Sequence, residues 1–93
     1  MSEPLSKVFL CLQANDETRG IVEAIRTDNP DAEFDYQPGM VRITNKGTMK
    51  VVRETVEEEV GREFDLQELH INIISLSGHV DEDDDVLTLT WNS

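Results

Sequence analysis

RETVEEEVGREFDLQELHINIISLSGHVDEDDD, Arg53 to Asp85, is the stretch whose reading decides the fold. Two short helix signals, an apolar strand and an acidic turn follow one another in it with almost no slack. Thr55-Val56-Glu57-Glu58 has capping-box spacing, Thr55 placed to accept from the backbone near Glu58 while Glu58 reaches back. Val56 and Val60 share a face, and Gly61 closes this helix after less than two turns. Asp65 repeats the device, capping Leu66 to Leu69 with Glu68 three residues on. Helices this short are marginal alone, so both are expected to lie on a sheet. Ile71 and Ile73 alternate as a strand, while Ile74 and Leu76 continue on the opposite parity. A β-bulge near Ile73 to Ser75, or burial on both faces, explains the slip. Ser77-Gly78 reads as a turn or kink and Asp81 to Asp85 as a solvated loop.

Upstream, Lys7 to Leu12 is apolar on both faces, with Val8, Leu10 and Leu12 on one side and Phe9 and Cys11 on the other, which suits a central strand. Asn15 or Asp16 then caps a helix whose Thr18, Ile21, Val22 and Ile25 share a face and which Asp28-Asn29-Pro30 stops. Ala32 to Tyr36 is a short strand before the Gln37-Pro38-Gly39 turn. Val41 and Ile43 alternate with Arg42 and Thr44, and Asn45-Lys46-Gly47 is read as a hairpin loop that returns Thr48 to Arg53 as the partner strand. Downstream, Val86 to Trp91 is a last strand with Leu87, Leu89 and Trp91 inward and Thr88 and Thr90 outward. The expected fold is therefore α+β: one small domain over residues 1–93, a mostly antiparallel sheet of about six to seven strands, one longer helix and two short ones, in the order βαβββααβββ.

Composition narrows the function. A chain of 93 residues buries roughly 60 to 65% of its unfolded surface and needs no disulfide or metal to fold. The lone Cys11, with no signal peptide or long apolar run ahead of it, points to a reducing, bacterial-type cytoplasm. No membrane-spanning segment is read from the sequence. Net charge is −12, with eight acids and seven bases up to Arg53 but twelve acids and only Arg62 after it. Phosphate backbones and anionic membranes are repelled by such a chain, whereas a basic groove on a larger protein attracts it.

Catalytic and metal motifs are missing from the sequence. Cys11 sits mid-strand among apolar residues, where it reads as a small buried hydrophobe. His70 and His79 lack any metal-ligand spacing and read as hydrogen-bonded sheet or loop residues. The acids from Asp81 to Asp85 superficially match a calcium loop. Its sixth place is Val86 instead of glycine and its twelfth is Asn92 instead of glutamate, so the loop cannot close its shell. Capping and helix-dipole effects account for Glu57 and Glu58 without acid–base chemistry. Five scattered glycines form no phosphate cradle. From the residues alone, the chain is a binding module with no catalytic, cofactor or metal site.

The run Arg53-Glu54-Thr55-Val56-Glu57-Glu58, then Gly61 to Leu69, then an apolar strand ending in Ser75-Leu76-Ser77-Gly78 and an acidic turn, resembles the coupling (effector) proteins of bacterial multicomponent di-iron monooxygenases. The likeness spans about Lys7 to Trp91 and is greatest to the phenol hydroxylase branch. The segment before Lys7 is shorter than the long tail of the methane monooxygenase members. What the resemblance implies is a protein without metal or organic cofactor that binds an oligomeric hydroxylase holding a carboxylate-bridged di-iron centre. It also implies a functional link to a reductase that carries FAD and a 2Fe-2S cluster and uses NADH. The Glu-x-x-His pairs of such di-iron sites do not occur in this chain.

The hydroxylase-binding surface is expected at the start of the first helix (Asn15, Asp16, Arg19), the short-helix region (Glu54, Glu57, Glu58, Arg62) and the turn Ser75, Leu76, Ser77 and Gly78. The plainer reading makes Arg62 and Glu63 partners in local ion pairs. The acidic tip either steers docking or keeps an edge strand from pairing with other chains. An acidic adaptor or inhibitor of a basic protein surface is the alternative function, carried by the charge alone.

Overall fold

The computed structural model describes residues 7–91. The segment before Lys7, and Asn92, which entered the calcium-loop comparison, lie outside them. Ten elements follow in the expected order: β1 (Lys7–Gln13), α1 (Asp16–Asp28), β2 (Glu33–Gln37), β3 (Met40–Lys46), β4 (Thr48–Val52), α2 (Arg53–Val60), α3 (Leu66–Asn72), β5 (Ile73–Ser77), β6 (His79–Glu82) and β7 (Val86–Thr90). The seven strands form two antiparallel sheets, β2-β3-β1-β5 and β4-β7-β6. β1 is central to its sheet, as its two-sided apolar pattern requires. No helix among the described residues is long and apolar enough to cross a membrane.

One core joins the two sheets and α1. Val8, Leu10 and Leu12 of β1 meet Val41 and Ile43 of β3, Ile21 and Ile25 of α1, Met49 and Val51 of β4, and Leu87 and Leu89 of β7. Each fully buried aliphatic side chain there contributes on the order of 1.5–3 kcal/mol. Cys11 is buried mid-strand, as read from the sequence.

The expected hairpin through Gly47 is not formed. β3 already has β2 on one edge and β1 on the other, so no edge is left for the strand that follows. Gly47 (φ 80°) instead turns a corner between sheets, and β4 pairs with β7 from Thr48↔Thr90 to Val52↔Val86. Gly78 (φ 108°) is the corner by which the chain passes from β5 to β6, and its open side is filled by Val8 and the Thr90 carbonyl.

Other boundaries move for local reasons. β2 starts at Glu33, one residue after the expected Ala32. Arg53 opens α2 instead of ending a strand, because its N–H donates to the Asp85 carbonyl at 2.8 Å. The Thr55–Glu58 capping box is therefore absent: Val52 is the N-cap, without a side-chain bond, and the helix spans eight residues before Gly61 (φ 74°). α2 packs Val56 into the core and lays Val60 on Gly20 of α1, so its support is a helix as well as a sheet.

α3 does carry the Asp65–Glu68 capping box, but runs on through Asn72, burying Leu66, Leu69 and Asn72 at helical spacing. Ile71 and His70 are thus helical, not in a strand or loop. The expected bulge is present, since Cys11 pairs with Ser75 and Leu12 with Ile73, leaving Ile74 unpaired. Asp81 and Glu82 belong to β6, and the loop shrinks to Asp83–Asp85. Trp91 lies past the last β4 pair and is 45% exposed, not inward.

Candidate functional site

Asn15 caps α1, its side-chain oxygen accepting from the Thr18 N–H at 2.9 Å while the Thr18 hydroxyl accepts from the Asn15 N–H. The same hydroxyl donates to the Gln13 carbonyl at 2.6 Å, fixing the helix start to the end of β1. Asp16 and Arg19 stand exposed on the first turn and pair at 3.2 Å.

Across a groove between α1 and α2 lies Arg62. Its guanidinium meets Glu68 at 3.1 Å, Glu17 at 3.8 Å and the Glu63 carbonyl at 2.7 Å. Asp16, Arg19 and Arg62 line this groove together with Glu59 and Val60. Arg62 therefore does join local pairs, bridging α1 and α3. Exposed ion pairs of this kind are worth about 0–1 kcal/mol each, so its main effect is to fix geometry.

The carboxylate of Glu68 is held below the ordinary glutamate range, first by the Asp65 N–H it accepts and then by Arg62. Glu57 accepts from the Phe64 N–H at 2.9 Å, bracing the loop after Gly61. It borders a second groove with Arg53, Glu63, Asp65, Asp84 and Asp85. Glu54 and Glu58 are exposed on α2 and line neither groove.

Within the expected turn, Ser75 is exposed, Leu76 packs partly on the core, the Ser77 hydroxyl accepts from the Phe9 N–H at 3.3 Å, and Gly78 forms the sheet corner. These four residues occupy the outer edge of the β1 sheet and its exit. Asn72 joins this region to the first helix, because its amide accepts from Asn15 at 3.1 Å and donates to Glu17 at 3.0 Å.

The start of α1, Arg62 and the α3–β5 junction thus come together, while Glu54, Glu57 and Glu58 lie to the side. Ile71 and Ile74, 74% and 50% exposed at that junction, were not anticipated as surface residues. Exposed apolar side chains grouped on ordered elements offer a partner protein surface to bury. Their sequence signal was the broken alternation from Ile71 to Leu76, which places Ile71 and Ile74 off the core-facing positions.

At the tip, Asp83 accepts from the N–H groups of Asp85 and Val86 at 2.8 and 2.9 Å, which lowers its pKa, and Asp85 pairs with Arg53 at 3.0 Å. No group of three or more side chains suited to hold a metal ion occurs among the described residues.

Residues 6–90 match the model of the MmoB/DmpM family. The chain is 44% identical over 88 residues to the stimulatory component DmpM of phenol 2-monooxygenase from Pseudomonas sp. (strain CF600), covering 95% of this chain and 98% of that protein. It also matches a chain of a solved phenol hydroxylase–regulatory protein complex, with a TM-score of 0.88 and 50% identity over 92% of this chain and 99% of that one. The regulatory protein B of soluble methane monooxygenase shares the fold, with a TM-score of 0.75 at 21% identity, over 99% of this chain and 70% of that one.

Proposed function

The chain belongs to the MmoB/DmpM family, and from that membership we propose that residues 1–93 form the regulatory component of a phenol hydroxylase. It is a non-catalytic component, as its relatives are stimulatory and regulatory ones. The observation that carries this reading is the match, at 50% identity and almost full length, to a chain from a phenol hydroxylase–regulatory protein complex.

In this reading the chain has no cofactor of its own and works in the bacterial cytoplasm. It docks on an oligomeric hydroxylase whose di-iron centre activates oxygen, and it couples that step to electrons from NADH through a reductase bearing FAD and a 2Fe-2S cluster. A protein without catalytic groups alters such a reaction only by binding one hydroxylase conformation better than another. A coupling of about 1–3 kcal/mol between the two binding events changes the equilibrium about 5- to 150-fold.

The docking surface proposed is the start of α1 (Asn15, Asp16, Arg19) with Arg62 and the β5 edge from Ser75 to Gly78, and Ile71 and Ile74 as its apolar anchors. Glu54, Glu57 and Glu58 extend it along α2. Apolar contacts supply the preference between conformations, and the acidic field speeds the encounter. The test is a reconstitution in which the chain is titrated into hydroxylase and reductase. Phenol oxidation that rises and then falls with increasing ratio supports the reading, and no rise at any ratio refutes it.

A further inference from the structure

Asn72 is one of three buried polar residues among those described, with only 3% of its surface exposed. Its side-chain oxygen accepts from Asn15, the N-cap of α1, and its side-chain nitrogen donates to Glu17 in the first turn of that helix. These partners are 57 and 55 residues away in sequence. The other carboxylate oxygen of Glu17 faces Arg62, which reaches Glu68 near the start of α3. Both ends of α3 are therefore tied to the first turn of α1 through one carboxylate, Glu17. Ile71 immediately precedes Asn72, and the unpaired Ile74 follows two residues later, so the orientation of the two exposed aliphatic side chains depends on where Asn72 is held.

Helix α3 has seven residues, and the side-chain hydrogen bonds at its C-terminal end among the described residues are the two of Asn72 to α1 and the 2.7 Å contact of His70 with Glu82 of β6. An element this short takes its orientation from tertiary contacts. We propose that Asn72 is a positioning residue for hydroxylase docking: by bridging Asn15 and Glu17 it makes the start of α1 and the α3–β5 junction one preorganised surface. The inference rests on the regulatory reading above. Preorganisation of this kind improves affinity by removing the cost of ordering two segments on binding, and leaves the complex, once formed, with the same contacts.

The test exploits the polarity of the bridge. Asn72→Asp replaces the donor to Glu17 with an acceptor and sets two carboxylates against each other. Adding Glu17→Gln returns a donor and restores the bond with its direction reversed and the net charge of the single variant raised by one. Each protein is titrated into hydroxylase and reductase at a temperature at which circular dichroism shows it folded. The expected result for Asn72→Asp is a half-saturating concentration raised roughly tenfold, comparable to one lost hydrogen bond to a charged group, with the maximal stimulated rate retained. The double variant returns half-saturation to near the wild-type value.

A folded Asn72→Asp with wild-type half-saturation overturns the proposal. Should that variant not fold, the double variant decides alone: near wild-type half-saturation supports the bridge, and weak stimulation or failure to fold overturns it. If the unaltered chain does not stimulate at any ratio, the regulatory reading itself fails, an outcome distinct from both.

Discussion

Val60 Cγ1 lies 2.5 Å from the point where a Cβ on Gly20 would stand, so α1 and α2 approach as closely as they do because residue 20 has no side chain. In an exposed helix, exchanging glycine for alanine gains up to about 1 kcal/mol. Here the added methyl drives the helices apart, at a cost of about 1–3 kcal/mol. Gly20→Ala is expected to lower unfolding stability by about 1–2 kcal/mol in urea titrations. Combined with Val60→Ala, the same change should cost much less, since its obstruction is gone.

The buried side chain of Asn29 closes an edge strand. Its nitrogen donates to the Ile25 and Lys50 carbonyls at 2.8 and 2.7 Å, and its oxygen accepts from the Lys50 N–H at 3.0 Å. In this way an amide stands where β4, at the edge of its sheet, lacks a neighbouring strand. Asn29→Ala leaves these groups without partners and should cost about 2–4 kcal/mol of stability. The amide of Lys50 should exchange with solvent much faster than in the unaltered chain, whereas that of Val8, in the other sheet, should slow or quicken only with global stability.

Glu68 makes part of the stability depend on pH. Its folded-state pKa is depressed by the Asp65 N–H and by Arg62, so its contribution is fully present above the unfolded-state value and is lost as pH falls through the folded one. The chain and its Glu68→Gln variant are expected to differ in melting temperature at neutral pH, and to converge as the solution is acidified below the ordinary glutamate range. A difference that persists unchanged into strong acid would contradict this origin.

The acids of the tip divide by role. Asp83 holds the turn through two backbone N–H groups and Asp85 pairs with Arg53, whereas Asp84 has neither kind of partner among the described contacts. Asp84→Asn is therefore expected to slow association with the hydroxylase and flatten its salt dependence, with dissociation and stability unchanged, because exposed charges act on encounter. Stopped-flow association at two salt concentrations measures this. An unchanged rate and salt slope would leave the tip as a device that protects the edge strand β6.

The order of elements was legible because it rests on local chemistry: the apolar run of β1, the Asn15 cap, the Asp65–Glu68 box and the glycine that ends α2. What could not be read was competition between distant strands. Nothing near Gly47 shows that both edges of β3 are occupied, by β2 and β1, and that β7 is waiting for β4. The same holds for α2, whose first N–H is satisfied by Asp85, 32 residues away, so that Thr55 has no cap to form. The parity break at Ile71–Leu76 was visible, but it recorded two things at once, a helix extended by the buried Asn72 and a bulge at Ile74. Read as a bulge or as burial on both faces, it hid the exposed isoleucines.

Coupling is the central claim, and the ratio of hydroxylated product formed to NADH consumed measures it most directly. With hydroxylase and reductase fixed and phenol in excess, adding this chain is predicted to raise both the hydroxylation rate and the yield of product per NADH, up to a saturating ratio. A yield and rate that stay at their values without the chain, at every ratio tested, would contradict the account.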